Sequence, residues 1–361
     1  MAEKDFGKID PKFNFMDIRA VGELEYYTIP HPSFNMKGIG FYGEEGFLRM
    51  PKEVGESVSD AVAVLNHHTS GGRLLFSTDS DAIEINITYD YLSRLRNVEL
   101  SALGFTLIER RGNERRYIKI MPPDFNNDTG YTSSVKLPGG MRDYILYFPI
   151  AGRIRTFNIG LRKGCTVRPL EIYEGKPIVY YGSSITQGFC AGRADNTYEA
   201  FIEKWNERDF INLGFSGSGK GEDAMIEYLS SLDVSAFVCD FNHSGMDLDV
   251  FEKQHKRLYE RFRATHPKTP IIILSKTCIY VSNENIEEHE RAFKQEKIIK
   301  QTYLDALAAG DKNVYFISGV DMLSELSATD RMSATNDSDH PNELGFYIMA
   351  KKIYKVLDSV L

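Results

Sequence analysis

"IVYYGSSITQGFC", residues 178–190, is the stretch on which the fold turns. Ile178 to Tyr181 form an apolar run of strand length, and Gly182 releases the chain into a tight turn carrying Ser183 and Ser184. In an open α/β sheet, a hydroxyl at the carboxyl end of a strand lies where such sheets bind ligands. The turn alone does not decide whether either serine does chemistry.

Downstream the rhythm is strand, loop, helix. Apolar runs recur at "DFINLG" (209–214), "AFVCDF" (236–241), "PIIILS" (270–275) and "NVYFIS" (313–318). Between them lie helical patterns, "TYEAFIEKWNER" (197–208) and "DLDVFEKQHKRLYERFRATH" (247–266), the second with Phe251, Leu258 and Phe262 at helical spacing. Strands alternating with helices predict an α/β fold with a parallel sheet covered on both faces. Upstream the period is two: in "AIEINITY" (82–89), Ile83, Ile85 and Ile87 oppose Glu84, Asn86 and Thr88. Similar short runs, separated by turns such as "TSGG" (69–72) and "LPGG" (137–140), predict an all-β sandwich of jelly-roll type without intervening helices. The expected organisation is a sandwich over residues 1–167, a join at 168–176, and a parallel α/β unit over 177–361.

Composition narrows the function classes. The 361 residues are 42% hydrophobic and 26% charged, a globular balance, and the net charge of −8 gives no field favouring nucleic acid or anionic lipid. No apolar run approaches a membrane span, so no membrane insertion is expected. The opening "MAEKDFGKIDPKFNF" lacks the apolar core of a secretory leader. A cytoplasmic protein is expected, or a secreted one whose leader has been removed. Four scattered cysteines predict no disulfide framework, with Cys239 a small buried hydrophobe. With no CxxC, no HExxH, and His67-His68 pointing to opposite faces of a strand, no metal is expected. The lone Trp205 reads as packing, and the charge-rich stretch 283–297 as a solvated helix face.

Asp337 and His340, in "NDSDHPNELG" (336–345), stand three residues apart, so the carboxylate can orient the imidazole within one turn. A serine hydroxyl is a poor nucleophile until a base takes its proton, and Ser184 with His340 and Asp337 meets that need. Backbone N–H groups of the Gly-rich "NLGFSGSGKGE" (212–222) and the Asn242 amide are candidate oxyanion donors.

"GSSITQG", "NLGFSG", "DFN" and "DSDHP" resemble the four signature blocks of the SGNH (GDSL-like) hydrolases. The resemblance implies a three-layer α/β/α fold and esterase activity without a cofactor. It places the nucleophile on Ser184, with Ser183 at the usual aspartate position, and the acid and base on Asp337 and His340. The oxyanion hole falls on Ser184, Gly217 and Asn242. The third block departs from its usual Gly-x-Asn-Asp, reading Asp240-Phe241-Asn242-His243, so Ser244 is an alternative to Asn242. The pairing with a sandwich is similar to a branch in which many members deacylate carbohydrates. The small polar flanks "QGFCAGRADN" and "SATNDSDHPNE" favour a short acyl group, acetyl first, on a small-molecule or oligosaccharide ester. Arg193 and His243 are then candidate substrate contacts, with Asp195 and Asn196 beside them.

Three rivals stand beside this reading. One is a longer-chain acylhydrolase, and another a non-catalytic carbohydrate-binding protein. The third is a P-loop at Gly214 to Lys220, which has Gly221 where Mg²⁺ binding needs Ser or Thr. Oligomeric state is not legible.

Overall fold

The computed structural model of the chain describes residues 22–90, 99–124, 127, 129–242, 245–277 and 286–361. The N-terminal half is antiparallel throughout. Its strands are β1 (Leu24–Thr28), β2 (Asn35–Lys37), β3 (Phe41–Gly43), β4 (Gly46–Leu48), β5 (Arg73–Thr78), β6 (Ala82–Asp90), β7 (Phe105–Arg111), β8 (Glu114–Met121), β9 (Gly130–Lys136), β10 (Arg142–Tyr147), β11 (Arg153–Arg162) and β12 (Val167–Pro169). One sheet runs β1-β11-β6-β9 and the other β12-β5-β10-β7-β8, with β2 alongside β5. Ile83, Ile85 and Ile87 of β6 share a core with Phe76, Leu107 and Leu146 of the other sheet, while Asn86 and Thr88 face solvent. Glu84 departs from that alternation: it is buried and accepts a hydrogen bond from Tyr26. Pairing of β12 with β5 carries the sheet into the stretch expected to join the halves.

Contrary to the expectation of uninterrupted strands, three short helices occur among the described residues: α1 (Lys52–Val58), α2 (Asp60–Leu65) and α3 (Glu99–Leu103). Each holds two turns or fewer, too few for a 3.6-residue period to show in the sequence. Ser59 caps α2 by accepting from the Val62 N–H.

In the C-terminal half, β13 (Ile178–Gly182), β14 (Phe210–Gly214), β15 (Ala236–Asp240), β16 (Ile271–Leu274) and β17 (Val314–Ile317) form one parallel sheet in the order β14-β13-β15-β16-β17. Helices α4 (Ser184–Gln187), α5 (Tyr198–Asn206), α6 (Asp223–Ser231), α7 (Leu248–Thr265), α8 (Ile286–Ala308), α9 (Ala328–Met332) and α10 (Glu343–Val360) connect and cover it. Residues of α5 and α10 enter one core and those of α6, α7 and α8 another, which sandwiches the sheet between helical layers. As expected, α7 buries Phe251, Leu258 and Phe262; it also buries His255, whose Nδ1 lies 2.9 Å from the Thr302 hydroxyl. Trp205 stacks on Phe201 and meets Tyr347 and Tyr354 edge-on, a packing role. The described part of the charged stretch begins α8, with Glu287 and Glu290 exposed. No helix among the described residues is long and apolar enough to cross a membrane.

The two halves share a core. Leu75, Ile108, Ile145 and Tyr147 of the second sheet pack in one cluster with Tyr180, Tyr198 and Ile202. Polar groups cross the same boundary. Arg73 is fully buried, donates to Asp209 at 2.5 Å, and lies 3.8 Å from the centre of the Phe210 ring. The Tyr147 hydroxyl donates to Glu203 at 2.5 Å, and Arg115 pairs with the same carboxylate at 3.0 Å. Arg49, also buried, donates to the carbonyl of Gly214 at 2.6 Å and to that of Leu65 at 2.7 Å.

Candidate active site

In a sheet of order 2-1-3-4-5 the ligand crevice opens where the strand order reverses, here between β13 and β15. Gly182 and Asp240 pair across that point, and the chain leaves Gly182 directly into Ser183 and Ser184. Ser183 occupies the N-cap position of α4 and Ser184 its first turn; Gly188 ends the helix in the left-handed region at φ 95°. Glycine is required at 182 and 219 by close approach: a Cβ at 182 would meet the Thr186 hydroxyl, and one at 219 the Gly182 carbonyl.

The turn is held from the N-terminal half. Gln187 donates to His68 Nδ1 at 2.6 Å, accepts from the Ser216 N–H at 3.0 Å, and its carbonyl accepts from Ser70 at 2.5 Å. Burial, with Arg49 beside it, pushes His68 down to about 3, which keeps its ring neutral and Nδ1 available as acceptor. His67 instead lies 3.5 Å from Glu45. The adjacent histidines thus serve separate structural contacts.

Ser184, His340 and Asp337 come together. His340 Nε2 lies 2.8 Å from Ser184 Oγ, and Nδ1 lies 2.8 Å from Asp337 Oδ2. Since a carboxylate only accepts, the ring proton belongs on Nδ1 and leaves Nε2 to take the serine proton. Asp337 Oδ1 further accepts from the N–H groups of His340 (2.7 Å) and Asp339 (3.0 Å). Burial raises the Asp337 carboxyl, but hydrogen bonds from the His340 backbone and ring outweigh it, so the net shift is downward and the carboxylate stays ionised. The loop is pinned by Lys276, 2.5 Å from Asp339, and by Asn342, which caps α10 by accepting from Leu344 and Gly345 N–H groups.

The expected oxyanion donors fare differently. The Gly217 N–H approaches the cleft and donates to Ser183 Oγ at 3.0 Å, so Ser183 holds the loop carrying that donor. Asn242 lines the cleft, but its amide donates to Asp240 Oδ1 at 2.8 Å and to the Leu274 carbonyl at 3.3 Å. Both its N–H groups are therefore spent. The cause is a buried carboxylate two residues away, which captures the donor that the block pattern assigns to substrate. Arg193 is likewise engaged: its guanidinium is held by Asp195 at 2.9 and 3.1 Å and by Asn196 at 3.1 Å, and it stacks on Tyr117. Asp195 is itself buried against Lys204. These residues brace the segment before α5 rather than face the cleft. His243 and Ser244 lie outside the described residues, as do 278–281. The P-loop alternative does not fit: Lys220 lies before α6, which begins only at Asp223, and Gly219 packs on the Gly182 carbonyl instead of cradling an anion.

The cleft beside Ser184 has a volume of about 380 Å³. Ile185 is the only aliphatic side chain among its described lining residues; Asp240, Lys276 and Asp339 add charge that the sequence motifs did not reveal. Asp240 had a positional signal, as the last residue of a strand at the switch point. Burial pushes its carboxyl up to about 7, against the lowering effect of hydrogen bonds from Thr186 and Asn242 and the charge of Lys276. A carboxyl raised from 3.8 costs nothing below that pH; its cost grows as pH rises and is complete above about 7. Asp240→Asn is therefore expected to gain stability relative to the native protein as pH rises from 4 to 8, by on the order of 4 kcal/mol before any loss of hydrogen bonding. Urea unfolding of both proteins across that range checks it; parallel pH dependences would reject it.

Comparison with known proteins places this geometry. The profile of the GDSL-like lipase/acylhydrolase family matches residues 175–358, and that of the N-terminus of SGNH-hydrolase-type esterases matches residues 24–167. Among solved structures, a Bacteroides ovatus protein described as a GDSL-like lipase is 26% identical, with a TM-score of 0.81 over 93% of this chain and 98% of its own. A salicylyl-acyltransferase from a tetracycline biosynthetic pathway is 17% identical (TM-score 0.74, 93% and 97% covered). An acetyl xylan esterase from the rumen bacterium Butyrivibrio proteoclasticus is 12% identical (TM-score 0.55, 94% and 98% covered). The last two share the fold. No curated protein matches the sequence. The chain belongs to the GDSL-like lipase/acylhydrolase family and is a carboxylic ester hydrolase of the SGNH type.

Proposed function

We propose that the protein hydrolyses short-chain acyl esters, acetyl first, on carbohydrates, through an acyl-enzyme on Ser184. His340 Nε2 takes the hydroxyl proton while Ser184 Oγ attacks the ester carbonyl. The Ser184 and Gly217 N–H groups receive the oxyanion, substrate displacing Ser183 Oγ from the second. His340 then returns its proton to the leaving alcohol. Water, deprotonated by the same nitrogen, releases the acid and restores the serine. The observation that carries the reading is the Asp337–His340–Ser184 relay opening on a cleft lined by small and polar groups. An acyl chain gains about 0.8 kcal/mol per CH₂ only where apolar surface receives it, and among the described lining residues Ile185 offers little. Likeness in fold to carbohydrate esterases supports a glycan as the alcohol.

The test is a series of nitrophenyl esters beside acetylated xylo- and manno-oligosaccharides. From acetyl to octanoyl, kcat/KM is expected to fall by at least about tenfold, and acetate to appear from an acetylated glycan. A preference for octanoyl or longer chains, with no acetate from any glycan, would overturn the proposal.

A further inference from the structure

Cys190 lies beside the relay. One ligand atom each from Cys190, Asp337 and His340 falls within 4.8 Å of the other two. A thiolate, an imidazole nitrogen and a carboxylate oxygen are the donors that zinc takes, with a fourth position left for water. We propose that these three residues form a site for a thiophilic divalent cation of the zinc and cadmium class, and that its occupation reversibly shuts off ester hydrolysis.

Three observations carry this. The sulfur is placed by the fold: Cys190 has a φ of 70°, in the left-handed region that favours glycine, and its carbonyl accepts from Asn336 of the Asp337 loop at 3.3 Å. Its neighbour Gly192 donates to Glu343 in the first turn of α10, which ties the segment to the same end of the cleft. The surroundings carry a further carboxylate: Asp339, paired with Lys276, has its Oδ2 3.9 Å from His340 Nδ1. The third observation is access: Cys190 is buried and His340 half-buried, whereas Asp337 is exposed and offers the cation its first contact.

Binding is a balanced exchange. The cation forms a bond to sulfur and the thiol proton leaves to solvent, with no change of oxidation state. Either ring nitrogen of His340 serves the inhibition. A cation on Nε2 removes the lone pair facing Ser184. A cation on Nδ1 sends the ring's one proton to Nε2, which then cannot accept from the serine.

The inhibitory consequence rests on the triad reading; the site does not, and the experiment separates them. Cobalt(II) added to the native protein is expected to give a near-ultraviolet thiolate-to-metal absorption that zinc displaces, that Cys190→Ser lacks, and that Asp337→Asn shows only at higher cobalt. In parallel, zinc is titrated against nitrophenyl acetate hydrolysis, each protein being scaled to its own zinc-free rate. Native enzyme should be inhibited by micromolar zinc and restored by EDTA, while Cys190→Ser should need about 100-fold more zinc, since losing a ligand costs at least as much as losing a partner that orients one. No cobalt band at millimolar metal, or the same band in Cys190→Ser, overturns the site. Equal zinc sensitivity of the two proteins overturns its link to activity. A Cys190-dependent band in a protein that Ser184→Ala leaves active keeps the site and rejects the triad.

Discussion

Ser184→Ala is expected to abolish ester hydrolysis, lowering kcat by about a millionfold while leaving the fold intact. The hydroxyl's hydrogen-bond partner is His340 Nε2, at 2.8 Å, so its removal takes the nucleophile and disturbs little packing. What remains is the rate supplied by substrate binding and oxyanion donors alone. Ser183→Ala should keep most activity, because Ser183 accepts from the Gly217 N–H and positions that loop without touching the base. The check is steady-state hydrolysis of nitrophenyl acetate by both variants, with circular dichroism to confirm folding, and labelling of the native protein by a fluorophosphonate. Survival of activity in Ser184→Ala, or label on any other residue, ends the acyl-enzyme proposal.

His340→Ala is expected to cost nearly as much as loss of the serine, because one ring serves as base in the first half of the reaction and as acid when the alcohol leaves. Asp337→Asn should cost less, about 10²–10⁴-fold. Its side chain is 43% exposed, so water already shares the stabilisation of the imidazolium, and the Asp337 loop is held independently by the Lys276–Asp339 pair. The ordering is the useful readout. An Asp337→Asn variant more damaged than His340→Ala would mean that the carboxylate does something other than orient the ring.

The nucleophile turn and the Asp337–His340 spacing were legible because each is a local object: a strand end, a short turn, two side chains one helical turn apart. Strand periods of two upstream and strand-helix alternation downstream were legible for the same reason. The partners of Asn242 and Arg193 were not legible, because each is claimed by a buried carboxylate, Asp240 and Asp195 respectively, and burial is a property of the folded layers. The short helices α1 to α3 escaped because two turns or fewer do not declare a period. The hold of His68 and Ser70 on Gln187 spans more than a hundred residues, and no local pattern encodes it.

The shared core also has a consequence in time. During synthesis the second sheet of the sandwich is complete long before the groups that satisfy its outer face exist. Asp209 follows Arg73 by 136 residues, and Glu203 follows Tyr147 by 56. At about 5–20 residues per second the Arg73 guanidinium waits roughly 7–27 s for its carboxylate. Once Ile145 has been made, Leu75, Ile108 and Ile145 present an apolar surface that the later half of the chain covers. Slow codons between residues 148 and 209 would lengthen that exposure.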